Sequence, residues 1–304
     1  MTVTVPIRRS FDLDRPLDLF GTLRPLWRGS GDPTMRLARD QAWRAIRTPD
    51  GPASVALGVQ GRRLTIDAWG PGAEAALAAT PWLAGLEDDR SGWRPDIHPV
   101  IARLDRSLPG VRLFRTGTVL EVLLPAIIEQ KVTGREAFRA FRELVLRHGD
   151  PAPGPLGLRL QPTADVLAEL PYYAYHPLGL ERRRADTIRR AAARVEWLEE
   201  TRRLPLREAY ARLTSIPGVG AWTAAEVAVR ALGDVDAVSV GDFHLPRLVA
   251  WALAGETEAD DARMLELLET FRGQRARAIR LLEAGAVFPP RRAPRMPARS
   301  IAGI

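Results

Sequence analysis

The sequence contains no cysteine. Disulfides, thiolate zinc sites and cysteine-held iron–sulfur clusters are therefore excluded together. Histidine is scarce too: His98, His148, His176 and His244 stand singly, without metal-ligand spacing. Lysine is almost absent, for among 44 lysine and arginine residues Lys131 alone is lysine. No apolar run of signal-peptide length opens the chain, where Arg8 and Arg9 interrupt the pattern, and no later stretch is long enough to span a bilayer. The expectation is a cytoplasmic chain with no membrane partner.

What is present fits an ordinary folded protein: 304 residues, 46% hydrophobic and 27% charged. The net charge of +7 and a pI near 10.7 favour a polyanionic partner, nucleic acid before membrane. Arginine-only usage also suits a GC-rich coding sequence, so charge alone is not decisive. Residues 1–95 read as an α+β domain. Strand-like alternation covers 2–11, 42–48, 54–60 and 62–69, with Asp50-Gly51 and Gly61 as turns between strands. Segments 16–27 and 71–83 read as helices, each opening near a proline. The charged, turn-rich stretch 88–95 is a domain boundary.

From 96 to 288 the pattern is helical, with short Gly/Pro punctuation. Leu124, Ile127, Ile128 and Val132 share one stripe, and Phe138, Phe141 and Val145 continue an apolar face. Segment 148–158 is a loop, 162–170 a helix capped by Thr163, and 182–200 and 265–282 longer helices. Residues 289–304 form a basic Pro/Arg-rich tail.

The most informative run lies within 213–228: Ile216-Pro217-Gly218-Val219-Gly220, between two helices. Two glycines one residue apart allow a sharp turn and clear side chains from its outer surface. The amides opening the second helix can then face a phosphate, reinforced by that helix end's partial positive charge. A tight αα-hairpin is the plainer reading of a bare Gly-x-Gly, but the run continuing through Trp222, Thr223 and Ala224 favours a DNA-binding hairpin. Downstream, Asp242 follows Gly241 at a helix start. From position alone it is an N-cap; beside a DNA-gripping hairpin it is also an anion held ionised by the helix end. Asp234 and Asp236 read as turn and loop residues.

Hairpin plus Gly-Asp resembles the helix-hairpin-helix DNA glycosylase superfamily, specifically its alkylation-repair branch, 3-methyladenine DNA glycosylase II. The segments 126–133, containing Gln130, and 178–188 are similar to further segments of that branch, as is the α+β N-terminal third. The resemblance implies an α+β N-terminal sheet domain followed by a two-lobed helical core. It implies a monofunctional enzyme that flips an alkylated base from duplex DNA and hydrolyses its N-glycosidic bond without a required cofactor, working as a monomer. Asp242 is then the catalytic carboxylate and Trp222 and Glu226 belong to the base pocket. Gly218, Val219, Gly220, Thr223, Gln130 and Lys131 face DNA, and the carbonyls of Thr214, Ile216 and Val219 hold a monovalent cation.

Three positions depart from the branch. Lys131 stands where an apolar wedge is usual, Glu226 where an aromatic is usual, and Glu283 on the helix whose aromatic closes the pocket. Trp222 occupies the place of the lysine found in bifunctional members, which points to hydrolysis without strand cleavage. The departures leave two alternatives open: a non-enzymatic DNA-binding protein, or a glycosylase for neutral bases such as uracil or hypoxanthine.

Overall fold

The computed structural model describes residues 5–289. Five strands form one antiparallel sheet: β1 (Ile7–Asp12), β2 (Met35–Leu37), β3 (Gln41–Thr48), β4 (Gly51–Gln60) and β5 (Arg63–Trp69), in the order β1-β5-β4-β3-β2. Alternation decides the faces: Leu64, Ile66 and Ala68 of β5 are fully buried, while Thr65 and Asp67 between them are not. The expected turns are in place, with Gly51 at φ +121° and Gly61 at φ +58°. The short helices Leu19–Leu23 and Ala73–Leu83 pack on the sheet to make the first core. Strand β2 was not expected, since three residues are too few for alternation to register. Residues 2–4 of the expected first strand, and the tail from 290, lie outside the described residues.

The helical part divides into two lobes with separate cores. The first occupies residues 119–232 around the nearly all-apolar helix Val119–Ile128. The second joins Pro99–Ser107 to the helices Leu245–Ala254, Asp261–Leu268 and Arg275–Ala284. Helix Gly134–His148 opens with a capping box of Thr133 and Glu136, and Thr163 caps Ala164–Glu169 as expected.

Two expected helices are broken. Segment 182–200 divides into Arg182–Ala192 and Val195–Glu199. The break turns Glu199 inward, where its carboxylate accepts the amides of Val119 (2.9 Å) and Leu120 (2.8 Å), capping the central helix from outside. Segment 265–282 breaks before Gly273, at φ +89°. The segment 16–27 shortens to Leu19–Leu23 plus a 3-10 turn led by Pro25.

Ion pairs fasten the three units. Asp88, its side chain wholly buried, accepts Arg277 from the second lobe at 2.6 and 2.9 Å and Arg15 from the sheet domain at 2.8 Å. Arg44 of β3 pairs with Glu121 on the central helix of the first lobe.

Candidate nucleic-acid interface and active site

The helix Leu206–Thr214 runs into the 215–220 turn, and the helix Ala221–Val227 leaves it and continues through a π-turn, Ala228–Leu232. Ile216 and Val219 are buried in the first lobe's core and hold the turn down. The two glycines differ. Gly218 has φ +102°, and a Cβ there would lie 2.0 Å from Thr187 Oγ1, so only glycine fits. Gly220 has φ −98° with extended ψ, and a Cβ would meet nothing within 4 Å. Its outer side is open space beside the first amides of the helix, which have no partner one turn back.

Gln130 and Thr223 were both expected at a DNA surface. The structure instead joins their side chains: Gln130 Nε2 donates to Thr223 Oγ1 at 2.8 Å and to the Gly218 carbonyl at 3.0 Å. Thr223 is 2% exposed, so its hydroxyl cannot face a duplex. The reason is packing: the third residue of this helix points back at the Val119–Ile128 end, not outward. Gln130 thereby ties the hairpin to the segment bearing Lys131, which is exposed and has the left-handed φ of +56°.

Trp222 and Asp242 are brought together. The indole Nε1 donates to Asp242 Oδ2 at 2.9 Å, while Oδ1 accepts the amides of His244 at 2.7 Å and Leu245 at 2.9 Å. Asp242 therefore caps Leu245–Ala254 and is held on three donors at once. Asp242 and Trp222 are both half-buried, so the carboxylate stays within reach of solvent and ligand. Asp234 and Asp236 are structural, accepting Tyr210 (2.8 Å) and Arg275 (2.5 Å) respectively.

Glu226 is not a pocket-lining group. It is 9% exposed, with one oxygen accepting Ser239 Oγ at 2.5 Å and the other paired with Arg230. One turn past Trp222 on the same helix face, it fastens the 239–242 loop to that helix. Glu283, by contrast, is exposed at the side chain, accepts Arg280 at 3.1 Å and feels the charges of Arg230 and Glu226. The residue that sequence reasoning missed is Phe243: 80% exposed, it stands edge-on to His244 with ring centroids 4.9 Å apart. An apolar residue just ahead of Leu245 and Leu248 is ordinarily buried; only its adjacency to Asp242 signals otherwise.

The carbonyls of Thr214, Ile216 and Val219 belong to the hairpin. That of Ile216 accepts the Val219 amide at 2.9 Å, and its second lone pair remains available to a cation. Among the described residues no group of three or more His, Asp or Glu side chains could hold a metal ion. No helix among them is long and apolar enough to cross a membrane.

No family model matches the chain. It is 31% identical over 162 residues to a probable bifunctional transcriptional activator/DNA repair enzyme AlkA of Mycobacterium tuberculosis, a match covering 52% of this chain and 31% of that relative's length. Among solved structures it resembles a 3-methyladenine DNA glycosylase from Archaeoglobus fulgidus, at 23% identity and TM-score 0.78, covering 92% of this chain and 98% of the other. It also resembles an 8-oxoguanine glycosylase/lyase of Clostridium acetobutylicum solved with double-stranded DNA, at 16% identity and TM-score 0.71, covering 94% and 98%. The likeness extends over the sheet domain and both lobes, and it establishes the fold.

Proposed function

We propose that this chain, which carries the fold of the helix-hairpin-helix DNA glycosylases, is a DNA glycosylase of base excision repair. In this reading it grips damaged double-stranded DNA through the hairpin, flips an alkylated base from the stack and hydrolyses its N-glycosidic bond. The observation that carries the reading is the Asp242 carboxylate, fixed on three donors immediately beside the hairpin helix.

As the base departs, positive charge develops on the deoxyribose. A carboxylate already held in place stabilises that charge without reorganising, and it orients or deprotonates the attacking water. The bonds from Trp222, His244 and Leu245 keep Asp242 aimed. Trp222 stands where an amine nucleophile would be needed for base release by an imine route, so water is the nucleophile in this step. Trp222 and the exposed Phe243 supply aromatic surface, which attracts cationic bases such as 3-methyladenine and 7-methylguanine. The positive charge on such bases already weakens the bond to be broken. The open side of Gly220 admits a phosphate to the helix amides, and the carbonyls of Thr214, Ile216 and Val219 would hold a monovalent cation that braces the turn.

The test is single-turnover release of base from alkylated duplex. Asp242→Asn is expected to lower the rate at least about a hundredfold, the scale of a lost electrostatic contact in the transition state, while affinity for abasic duplex is kept. Tight binding by the native chain with no release of any base would leave a DNA-binding protein instead. Glu226 is buried and engaged by Ser239 and Arg230, so a panel of single-lesion duplexes is expected to favour the cationic lesions.

A further inference from the structure

Glu226 serves something other than a base. It stands one helical turn past Trp222 and one before Arg230, so the three side chains form a row on the helix that leaves the hairpin. Burying a glutamate, an arginine and a serine hydroxyl together is a weak source of stability, because desolvation offsets much of their attraction. What a buried hydrogen-bonded cluster adds is direction, and the direction here leads to Asp242.

Ser239 opens a four-residue turn that Asp242 closes. The Asp242 amide donates to the Ser239 carbonyl at 3.2 Å, and Gly241 within the turn has φ +92°. Both ends of this turn are tied to the hairpin helix. Ser239 Oγ donates to Glu226 Oε1 at 2.5 Å, a short charge-assisted bond, and Arg230 holds the other oxygen of the same carboxylate. Trp222 Nε1 donates to the Asp242 carboxylate at 2.9 Å. The middle of the turn is held from the second lobe, where Asp261 Oδ2 accepts the Gly241 amide at 3.0 Å. Glu226 and Ser239 are each 9% exposed, which leaves little of either for a ligand to touch.

We propose that Glu226 and Ser239 are positioning residues for base release, setting the place of the Asp242 carboxylate through the turn they anchor. The proposal rests on the reading of Asp242 as the carboxylate that acts on the deoxyribose. The helix carrying Trp222, Glu226 and Arg230 begins beside Gly220, where the phosphate is proposed to bind, so one element serves both the DNA grip and the carboxylate. Without the Ser239 bond, the turn pivots on Trp222 and Asp261 alone. A reacting group displaced by about 1 Å loses on the order of a hundredfold in rate. That loss is the same for every base, because neither residue touches the base. Where the alkylation-repair branch has an aromatic, this chain has a group that acts through the carboxylate instead.

The test uses the full chain and Ser239→Ala, which removes one hydroxyl and leaves the Glu226–Arg230 pair intact. In the proton–nitrogen NMR spectrum of isotope-labelled protein without DNA, the indole N–H signal of Trp222 is assigned by its disappearance in Trp222→Phe. That signal is expected to move or broaden in Ser239→Ala. Single-turnover release is expected to fall about ten- to a hundredfold, by the same factor for 7-methylguanine and 3-methyladenine, with abasic-duplex affinity kept. Ser239→Thr, which restores the hydroxyl, is expected to bring both readouts back toward native values. An unmoved indole signal, release at the native rate, a loss confined to one lesion, or equal losses in the alanine and threonine variants would overturn the proposal. Failure of the native chain to release any base would count against the glycosylase reading, while the indole signal would still decide whether Ser239 places the carboxylate.

Discussion

Trp222 shows how one side chain serves the carboxylate beside it. Its indole N–H is the only one of Asp242's three donors that comes from a side chain, and replacing it with phenylalanine keeps most of the aromatic surface. A hydrogen bond to an ionised group contributes about 1.5–3 kcal/mol, so Trp222→Phe is expected to slow single-turnover base release about ten- to a hundredfold, with little change in abasic-DNA affinity. A wild-type rate in Trp222→Phe would mean the backbone amides suffice. At this scale the sequence singled out residues but not what they touch. Asp242 could be read as a cap or as a catalytic anion because both follow from its place after Gly241; the structure shows its cap bonds to His244 and Leu245. Glu226 was misread because its partners, Ser239 and Arg230, are joined by a loop closure that leaves no periodic trace in the sequence. Phe243 escaped notice because an apolar residue between a turn and a helix is ordinarily a core residue.

The hairpin is the element most fully legible in advance, since its glycines, its apolar anchors and its following helix are all local. Its two glycines nevertheless make opposite demands. Gly218→Ala combines a left-handed backbone with a clash against Thr187, and is expected to destabilise the fold by about 2–5 kcal/mol, measured by urea denaturation. Gly220→Ala meets no neighbour and is expected to leave stability nearly unchanged while weakening DNA binding, because the new methyl occupies the side from which a phosphate would approach. If the two variants proved equally destabilising, the open face of Gly220 would not be the contact surface. The broken helices were illegible for a related reason: apolar periodicity persists across the break at 193–194, and only the tertiary demand for Glu199 at the buried helix end interrupts it.

Across the whole molecule, Asp88 is the clasp between the sheet domain and the second lobe. Burial alone would raise its carboxyl, but the Arg277 and Arg15 guanidiniums outweigh it and hold the group below the usual carboxylate range. A carboxyl depressed in the folded state contributes stability that is present above its unfolded pKa, near 3.9, and is lost as pH falls through the lower folded value. Thermal melts at fixed ionic strength are therefore expected to show stability falling with acidification in that window. Asp88→Asn is expected to flatten the slope and to cost about 3–5 kcal/mol at neutral pH, because it strands the buried Arg277 guanidinium and the half-buried one of Arg15. An unchanged acid slope in the variant would assign the effect to other carboxylates. The boundary near residues 88–95 was legible as a charged turn, yet nothing local marked one of its acids as a clasp.

Trp222 belongs to the lobe of residues 119–232, whereas Asp242 opens the first returning helix of the other lobe. The bond between them consequently spans a seam, and the amides of His244 and Leu245, shielded by the same carboxylate, become a gauge of that seam. Deuterium uptake at those two positions would quicken whenever the lobes slip out of register and slow when a ligand straddles both, so the poise of the candidate site is open to measurement without any turnover.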